Sequence, residues 1–143
     1  MKTLQVVEVY NTLNGAKLTK MEDNDKFLVI KAMRQLKPIA TAYEDFVKDA
    51  REKLKGEEFD DMQKKAQKWQ EEGEKTTLTV EERIKVNTYL TGYANKVNEC
   101  AKEEAEKENE LSYEKLTEDA FGKLIASNDF DVKTIMLLND ALC

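Results

Sequence analysis

An apolar seam runs through residues 22–54 and constrains the fold more than any other feature of the sequence. Its members recur at alternating steps of four and three residues: Val29, Met33, Leu36, Ala40, Tyr43, Val47, Ala50 and Leu54. This spacing places them on one face of an α-helix. A long helix with so narrow an apolar stripe must bury that stripe against a partner. The seam therefore predicts a long packed helix over about residues 22–55.

Pro38 lies inside this predicted helix. An interior proline removes one backbone hydrogen bond and costs about 3 kcal/mol or more in a straight helix. Because the seam keeps its phase on both sides of Pro38, we expect one continuous, kinked helix, and two separate helices are the alternative. Upstream, Thr19 and Glu22 have the spacing of a capping box, which predicts the start of the helix there.

A second seam lies within residues 79–109. Its members step by four, three, four and three residues: Val86, Leu90, Tyr93, Val97 and Cys100. Thr79 and Glu82 form a second capping-box pattern just before it. Two long helices with similar seams pack most simply as an antiparallel pair, so we predict a helical hairpin.

Shorter helical patterns flank the pair. Residues 3–14 combine a helical face with β-favouring valines, so a helix is the preferred interpretation and a strand the alternative. In residues 57–72 the apolar side chains again step by three and four: Phe59, Met62, Ala66 and Trp69. Thr117 and either Asp129 or Asp131 are placed to cap two C-terminal helices.

Few positions favour strands. The alternation in residues 111–116 could form a short extended piece that pairs with residues 17–20, although an isolated two-strand ribbon is marginal. The 143 residues include one proline and five glycines, which favours a few long helices. We predict one all-α domain over residues 1–143, with the N-terminal, middle and C-terminal helices packed on the hairpin.

Composition argues against several classes of protein. The net charge is −6, whereas a nucleic-acid binder normally carries a basic excess on some element. Histidine is absent, which removes the commonest general base and zinc ligand. Cys100 and Cys143 lie far apart and indicate reduced cytosolic thiols. No run approaches about 20 apolar residues, and no signal peptide is recognised. We therefore expect a cytoplasmic protein that binds no cofactor, metal, membrane or nucleic acid.

Carboxylates are abundant but are not arranged for chemistry. The acidic run over residues 103–110 lacks the central glycine of a calcium loop, and its lysines suit a solvated helix face. Adjacent pairs such as Glu44 and Asp45 point about 100° apart on a helix, with no apolar surroundings to raise a pKa. We therefore predict no catalytic residues and no enzymatic activity.

The helix predicted over residues 57–72 carries the candidate interface. Trp69 ends its narrow apolar stripe, and Phe59 begins it. Packing of Trp69 on the hairpin is the first interpretation, and a role as an interface anchor is the alternative. Lys65 belongs to a small basic patch on the same helix. If this helix contacts a protein partner, we expect Trp69, Phe59 and Lys65 to contribute.

Three stretches together suggest a family. They are residues 9–11 followed by Leu13, residues 34–39 leading into Tyr43, Glu44 and Arg51, and residues 127–130 followed by an apolar helix. In these stretches the chain resembles a loosely defined family of small, uncharacterised helical proteins of phages and prophages. The resemblance implies a virion-associated or host-interaction role, in the virion or in the bacterial host cytoplasm. It implies no catalytic residue.

These observations lead to a functional prediction. We expect a non-enzymatic interaction or structural protein, such as a phage virion or assembly component, that binds another protein or itself. The alternative is a small acidic inhibitor of a host protein. A carboxylate-dependent enzyme is the least favoured class.

Overall fold

A computed structural model describes all 143 residues and contains six α-helices and no sheet. The helices are α1 (Thr3–Asn14), α2 (Asp23–Lys53), α3 (Phe59–Glu72), α4 (Val80–Ala105), α5 (Glu118–Ala126) and α6 (Val132–Leu142). The all-α prediction is confirmed, with a long pair of helices, α2 and α4, accompanied by shorter ones. The chain divides into two compact units. The first unit comprises Met1–Asp45 and Glu104–Cys143, and the second comprises Phe46–Glu103.

The first two helices resolve three sequence-based alternatives. Residues 3–14 form α1, so the strand alternative is wrong. Helix α2 continues through Pro38, so two separate helices are also wrong. The capping box at Thr19 is absent because α2 begins later, at Asp23. A turn occupies the preceding residues, in which the Met21 N–H donates to the Leu18 carbonyl at 3.0 Å.

Helix α4 ends at Ala105, before the predicted end near Asn109. The following residues bind the N-terminal segment instead. The Thr3 N–H donates to the Lys107 carbonyl, and the Asn109 N–H donates to the Met1 carbonyl, each at 2.9 Å. A single antiparallel bridge joins Lys2 to Glu108. These tertiary hydrogen bonds take the place of the helical ones, and α4 stops.

The predicted ribbon between residues 17–20 and 111–116 is wrong. Side chains after α5 bind the first of these segments. The Lys17 N–H donates to Asn128 Oδ1 at 2.8 Å, and Asn128 Nδ2 donates back to the Lys17 carbonyl at 2.7 Å. The Lys20 N–H donates to Ser127 Oγ at 3.0 Å. The backbone groups that a ribbon would have used are therefore satisfied by side chains.

The first unit has a continuous apolar core. Helix α2 contributes the first half of its seam, and α1, α5 and α6 supply the side chains around it. The core includes Val6, Val9, Leu13, Val29, Ala32, Leu36, Phe121, Leu124, Leu138 and Leu142.

Two predicted caps are present at the N-termini of the C-terminal helices α5 and α6. Thr117 Oγ1 accepts from the Ala120 N–H at 3.1 Å, and Asp131, rather than Asp129, accepts from the Thr134 N–H at 2.8 Å.

The second unit contains the end of α2, α3 and most of α4. Its buried apolar side chains are Phe59, Met62, Leu78, Val86 and Val97. The Phe59 and Tyr93 rings lie 4.7 Å apart, and the Tyr93 hydroxyl donates to the Arg51 carbonyl at 2.6 Å. The predicted cap at Thr79 is confirmed, since its hydroxyl oxygen accepts from the Glu82 N–H at 3.1 Å, but the Glu82 carboxylate accepts from the Thr79 hydroxyl at 3.2 Å instead of completing a capping box. Helix α3 ends at Gly73, whose φ of 56° suits glycine.

Candidate functional site

The three candidate interface residues lie in the second unit but in different surroundings. Phe59 is buried beneath the Lys55 ammonium, which lies 5.0 Å from the ring centroid. Trp69 is half-buried near the end of α3. Lys65 pairs with Asp61 at 3.3 Å, one turn away on the same helix. Of the three, Trp69 is the apolar side chain that solvent still reaches, and an interface through these residues stays a prediction.

A more exposed apolar feature occurs at the start of α4. Val80 and Ile84 are each 61% exposed and lie one helical turn apart. We call these two residues the α4 apolar patch. A shallow groove of about 460 Å³ adjoins it, lined by Glu81, Ile84, Lys85, Thr88 and Tyr89. The sequence carried a signal for the patch, because its members are spaced by four residues and lie off the α4 seam.

The first unit exposes a comparable pair on α6. Val132 is 73% exposed and Met136 is 62% exposed. Helix α6 buries Leu138 and Leu142, whereas Val132 and Met136 remain exposed. The helix is apolar on more than the face that packs, so its composition alone did not show which residues are buried.

A cleft of about 360 Å³ opens in the first unit. We call it the first-unit cleft. Its apolar lining comprises Met1, Val9, Leu111, Tyr113, Leu137 and Ala141. Its polar lining comprises Gln5, Asn109, Lys115 and Asp140. No sequence pattern indicates this site, because its residues come from α1, from the segment after α4 and from α6, and no short motif connects them.

The Ala141 carbonyl binds two of the side chains that line the first-unit cleft. The Tyr113 hydroxyl and the Lys115 ammonium both donate to the Ala141 carbonyl at 2.7 Å. The Lys115 ammonium also lies 4.8 Å from the centroid of the Tyr113 ring, within range of a cation–π interaction. Burial raises the pKa of Tyr113, so its hydroxyl stays a donor at neutral pH. The two side chains are therefore held in place before any ligand binds.

Outside the cleft, ion pairs and a helix cap shift the pKa values of several side chains. A hydrogen bond from each lysine to its carboxylate partner raises the pKa of Lys2 beside Glu106 and of Lys53 beside Asp49. Hydrogen bonds from Thr134 lower the pKa of Asp131, the cap of α6. These shifts favour the charged forms of surface groups that stabilise the structure.

Both cysteines are free thiols. Cys100 is partly buried on α4, and Cys143 is exposed. Burial raises the pKa of the Cys143 thiol, although nearby Lys115 acts in the opposite direction. A reactive thiol normally needs a lowered pKa, so the surroundings of Cys143 do not activate it.

Two further features of the molecule bear on function. No group of three or more Cys, Asp or Glu side chains is arranged to hold a metal ion. None of the helices combines the length and apolar character that crossing a membrane requires.

In comparisons with protein-family models, curated proteins and solved structures, nothing matches this chain. The resemblance to phage helical proteins therefore stays a prediction.

Proposed function

We propose that this protein acts by binding another protein, without catalysis, and that the α4 apolar patch is the centre of its binding surface. The observation that carries the proposal is the 61% exposure of both Val80 and Ile84, one turn apart and next to a groove. Scattered single apolar residues are ordinary on a protein surface, whereas adjacent ones beside a groove are typical of interaction sites.

Other groups of the second unit suit the rim of such a surface. Glu81 and Lys85 line the groove beside Ile84, and neither has an ion-pair partner within the chain. Charges at a rim select partners and speed association more than they add affinity. Half-buried Trp69 offers a further anchor, because tryptophan is enriched among residues that dominate binding energy.

Within this class, a phage virion or assembly component is the role that the sequence resemblance favours. An acidic inhibitor of a host protein is the second candidate. The net charge of −6 and the exposed glutamates near the end of α4 support it, since such a surface would suit a basic groove.

The salt dependence of binding distinguishes these two roles. Binding through exposed charges should be lost at about 0.5 M salt, where screening acts over a few ångströms, whereas apolar binding should persist.

Site-specific photo-crosslinking tests the binding surface. A photoreactive amino acid replaces Ile84 in one variant and Lys133, an exposed residue of α6, in the control. After irradiation in the native host, we expect a covalent adduct of discrete mass from position 84 only. An adduct of twice the chain mass would identify self-association, and a different mass would identify another protein. Identical adducts from both positions, or none from position 84, would contradict the proposal.

A matched pair of variants provides the complementary test. Val80→Ser with Ile84→Ser removes the α4 apolar patch, and Val132→Ser with Met136→Ser removes the similarly exposed pair on α6. Because these side chains are largely solvated, both variants should fold, as circular dichroism would verify. The complex is followed here by its mass in light scattering, because the α4 variant has serine at the crosslinking position, and we expect the complex to be lost only in the α4 variant.

A further inference from the structure

The first-unit cleft has the dimensions and the lining of a small-molecule site. Its volume of about 360 Å³ lies at the lower end of the range for such sites, about 300–1,000 Å³. Val9 and Ala141 border the cleft but are themselves fully buried, so they offer a ligand no open surface. Leu111 and Leu137 are half-buried and still have surface to lose to a ligand. An apolar ligand body would therefore displace water from surfaces that are already in position.

Two amides at the cleft have unused hydrogen-bonding capacity. Gln5 Oε1 accepts from the Lys2 N–H at 3.0 Å, but its amide nitrogen donates to nothing in the chain. Asn109 Nδ2 donates to Thr3 Oγ1 at 2.9 Å, and its side-chain oxygen accepts nothing. Each amide is fixed by one of its ends, and the other end remains available as a donor at Gln5 and an acceptor at Asn109.

Two opposite charges line the same cleft without binding each other. The Lys115 ammonium uses one of its three donors on the Ala141 carbonyl, at 2.7 Å. The Asp140 carboxylate has no hydrogen-bond or ion-pair partner within the chain. Lys115 and Asp140 form no salt bridge with each other, so a ligand can place a charged group against each of them.

We propose that the first-unit cleft binds a small zwitterion with an aliphatic body, the class of free aliphatic amino acids and their dipeptides. The ligand carboxylate would accept from Lys115, and the ligand ammonium would donate to Asp140. The aliphatic side chain would lie against Leu111 and Leu137, the half-buried apolar side chains of the cleft. Hydrogen bonds between charged groups are shorter and stronger than neutral ones, so this pairing selects for both charges together. The site is independent of the α4 apolar patch and goes beyond the proposed protein binding.

Isothermal titration calorimetry on the full chain tests the ligand class. The probes are L-leucine and the dipeptide Leu-Leu, with leucinamide and N-acetyl-leucine as matched compounds that each lack one charge. We expect at least one zwitterion to bind with a dissociation constant below about 1 mM. Loss of either charge should weaken binding about tenfold or more, because hydrogen bonds to charged groups contribute more than neutral ones. Absence of binding by both zwitterions, or equal binding of the singly charged compounds, would overturn the proposal.

Asp140→Asn tests the residue assignment. The Asp140 side chain makes no hydrogen bond within the chain, so the substitution should leave the fold unchanged. We expect it to weaken binding of the zwitterion about tenfold and to leave N-acetyl-leucine unaffected, because that compound has no ammonium group. Asp129→Asn is the control, since Asp129 is an exposed acid of the same unit outside the cleft. Equal binding by Asp140→Asn and the wild type would overturn the assignment.

Discussion

The two units of this protein differ in how completely they bury their apolar side chains. In the first unit the seam of α2 lies in a continuous core with side chains from three other helices. In the second unit only five apolar side chains are buried, although each unit leaves a similarly exposed pair at the start of one helix, Val80 and Ile84 on α4 and Val132 and Met136 on α6. The seams themselves are equally regular in the sequence. A seam therefore predicts which face of a helix packs, whereas the number of neighbouring elements determines how much of the remaining surface is covered.

This difference has a thermodynamic meaning. Regions with few buried apolar contacts open more readily than the core around them, and binding surfaces are often drawn from such regions. We therefore expect the second unit to be the less stable part of the molecule and the one that gains most from a partner.

Leu36→Ala should have the largest effect. Leu36 is fully buried in the core of the first unit, and truncation leaves a cavity that neighbouring helices fill incompletely. We expect a loss of about 3 kcal/mol in the free energy of unfolding, measured by urea denaturation. The control is Leu4→Ala on α1, where the side chain is 44% exposed and the loss should stay below about 1 kcal/mol. Equal losses would mean that the core of the first unit is not tightly packed.

Phe59→Leu should have a smaller and local effect. The change keeps an apolar side chain but removes the ring contact with Tyr93, which is worth about 1 kcal/mol. Native-state hydrogen exchange should show faster exchange for the amides of α3 and the first part of α4. The amides of α5 and α6 should not change. Equal acceleration throughout the chain would contradict the idea that the second unit opens separately.

Thr79→Ala and Thr117→Ala compare equivalent caps in the two units. Each threonine hydroxyl accepts from a backbone N–H at 3.1 Å, so each substitution should cost about 1 kcal/mol. Thr117→Ala should lower the urea midpoint of the whole protein, whereas Thr79→Ala should mainly speed exchange at the start of α4. Serine at either position should restore most of the loss. A larger effect of Thr79→Ala on the urea midpoint would reverse the expected ranking of the units.

The cap at Asp131 should make the first unit sensitive to acid. Its folded-state pKa lies below the ordinary value of 3.8 because Thr134 hydrogen-bonds the carboxylate. The resulting stability is present above the unfolded-state pKa and is lost as the pH falls through the folded-state pKa. Carbon-detected NMR titration of Asp131 would give the folded value. Asp131→Asn keeps a capping oxygen but cannot titrate, so its unfolding curve should lose this part of the acid dependence.

Local patterns predicted most of the helices and their caps. The hydroxyls of Thr79 and Thr117 and the carboxylate of Asp131 cap helices where the sequence placed them. Such interactions join residues only three apart, so the sequence contains all the necessary information. Thr19 and Glu22 have the same spacing, but the chain forms a turn there. The Asn128 and Ser127 side chains bind the backbone N–H groups of Lys17 and Lys20 on either side of Thr19. That outcome depends on residues more than 100 positions away and could not be read locally.

The candidate sites were harder to predict than the fold. The first-unit cleft combines Gln5, Asn109, Lys115 and Asp140, which no sequence spacing connects. Packing of α1 against α6 and the bond from Lys115 to the Ala141 carbonyl bring these residues to one place. The α4 apolar patch was visible as a spacing of four, but periodicity does not indicate whether a second apolar face finds a neighbour. Trp69 and Lys65 could be placed on a helix, and their role depends on a partner.

The pairing of residues 107–109 with the N-terminal segment has a consequence for synthesis on the ribosome. The first unit is made of two segments far apart in the chain, whereas the second unit is continuous. The seam of α2 is therefore translated long before α5 and α6, which help to cover it, and such exposed apolar surface is what chaperones recognise. We expect the less buried second unit to be able to fold during translation and the better buried first unit to wait until α6 has been translated. Limited proteolysis of ribosome-bound chains of increasing length would detect this order, and protection of α1 before α6 has been made would contradict it.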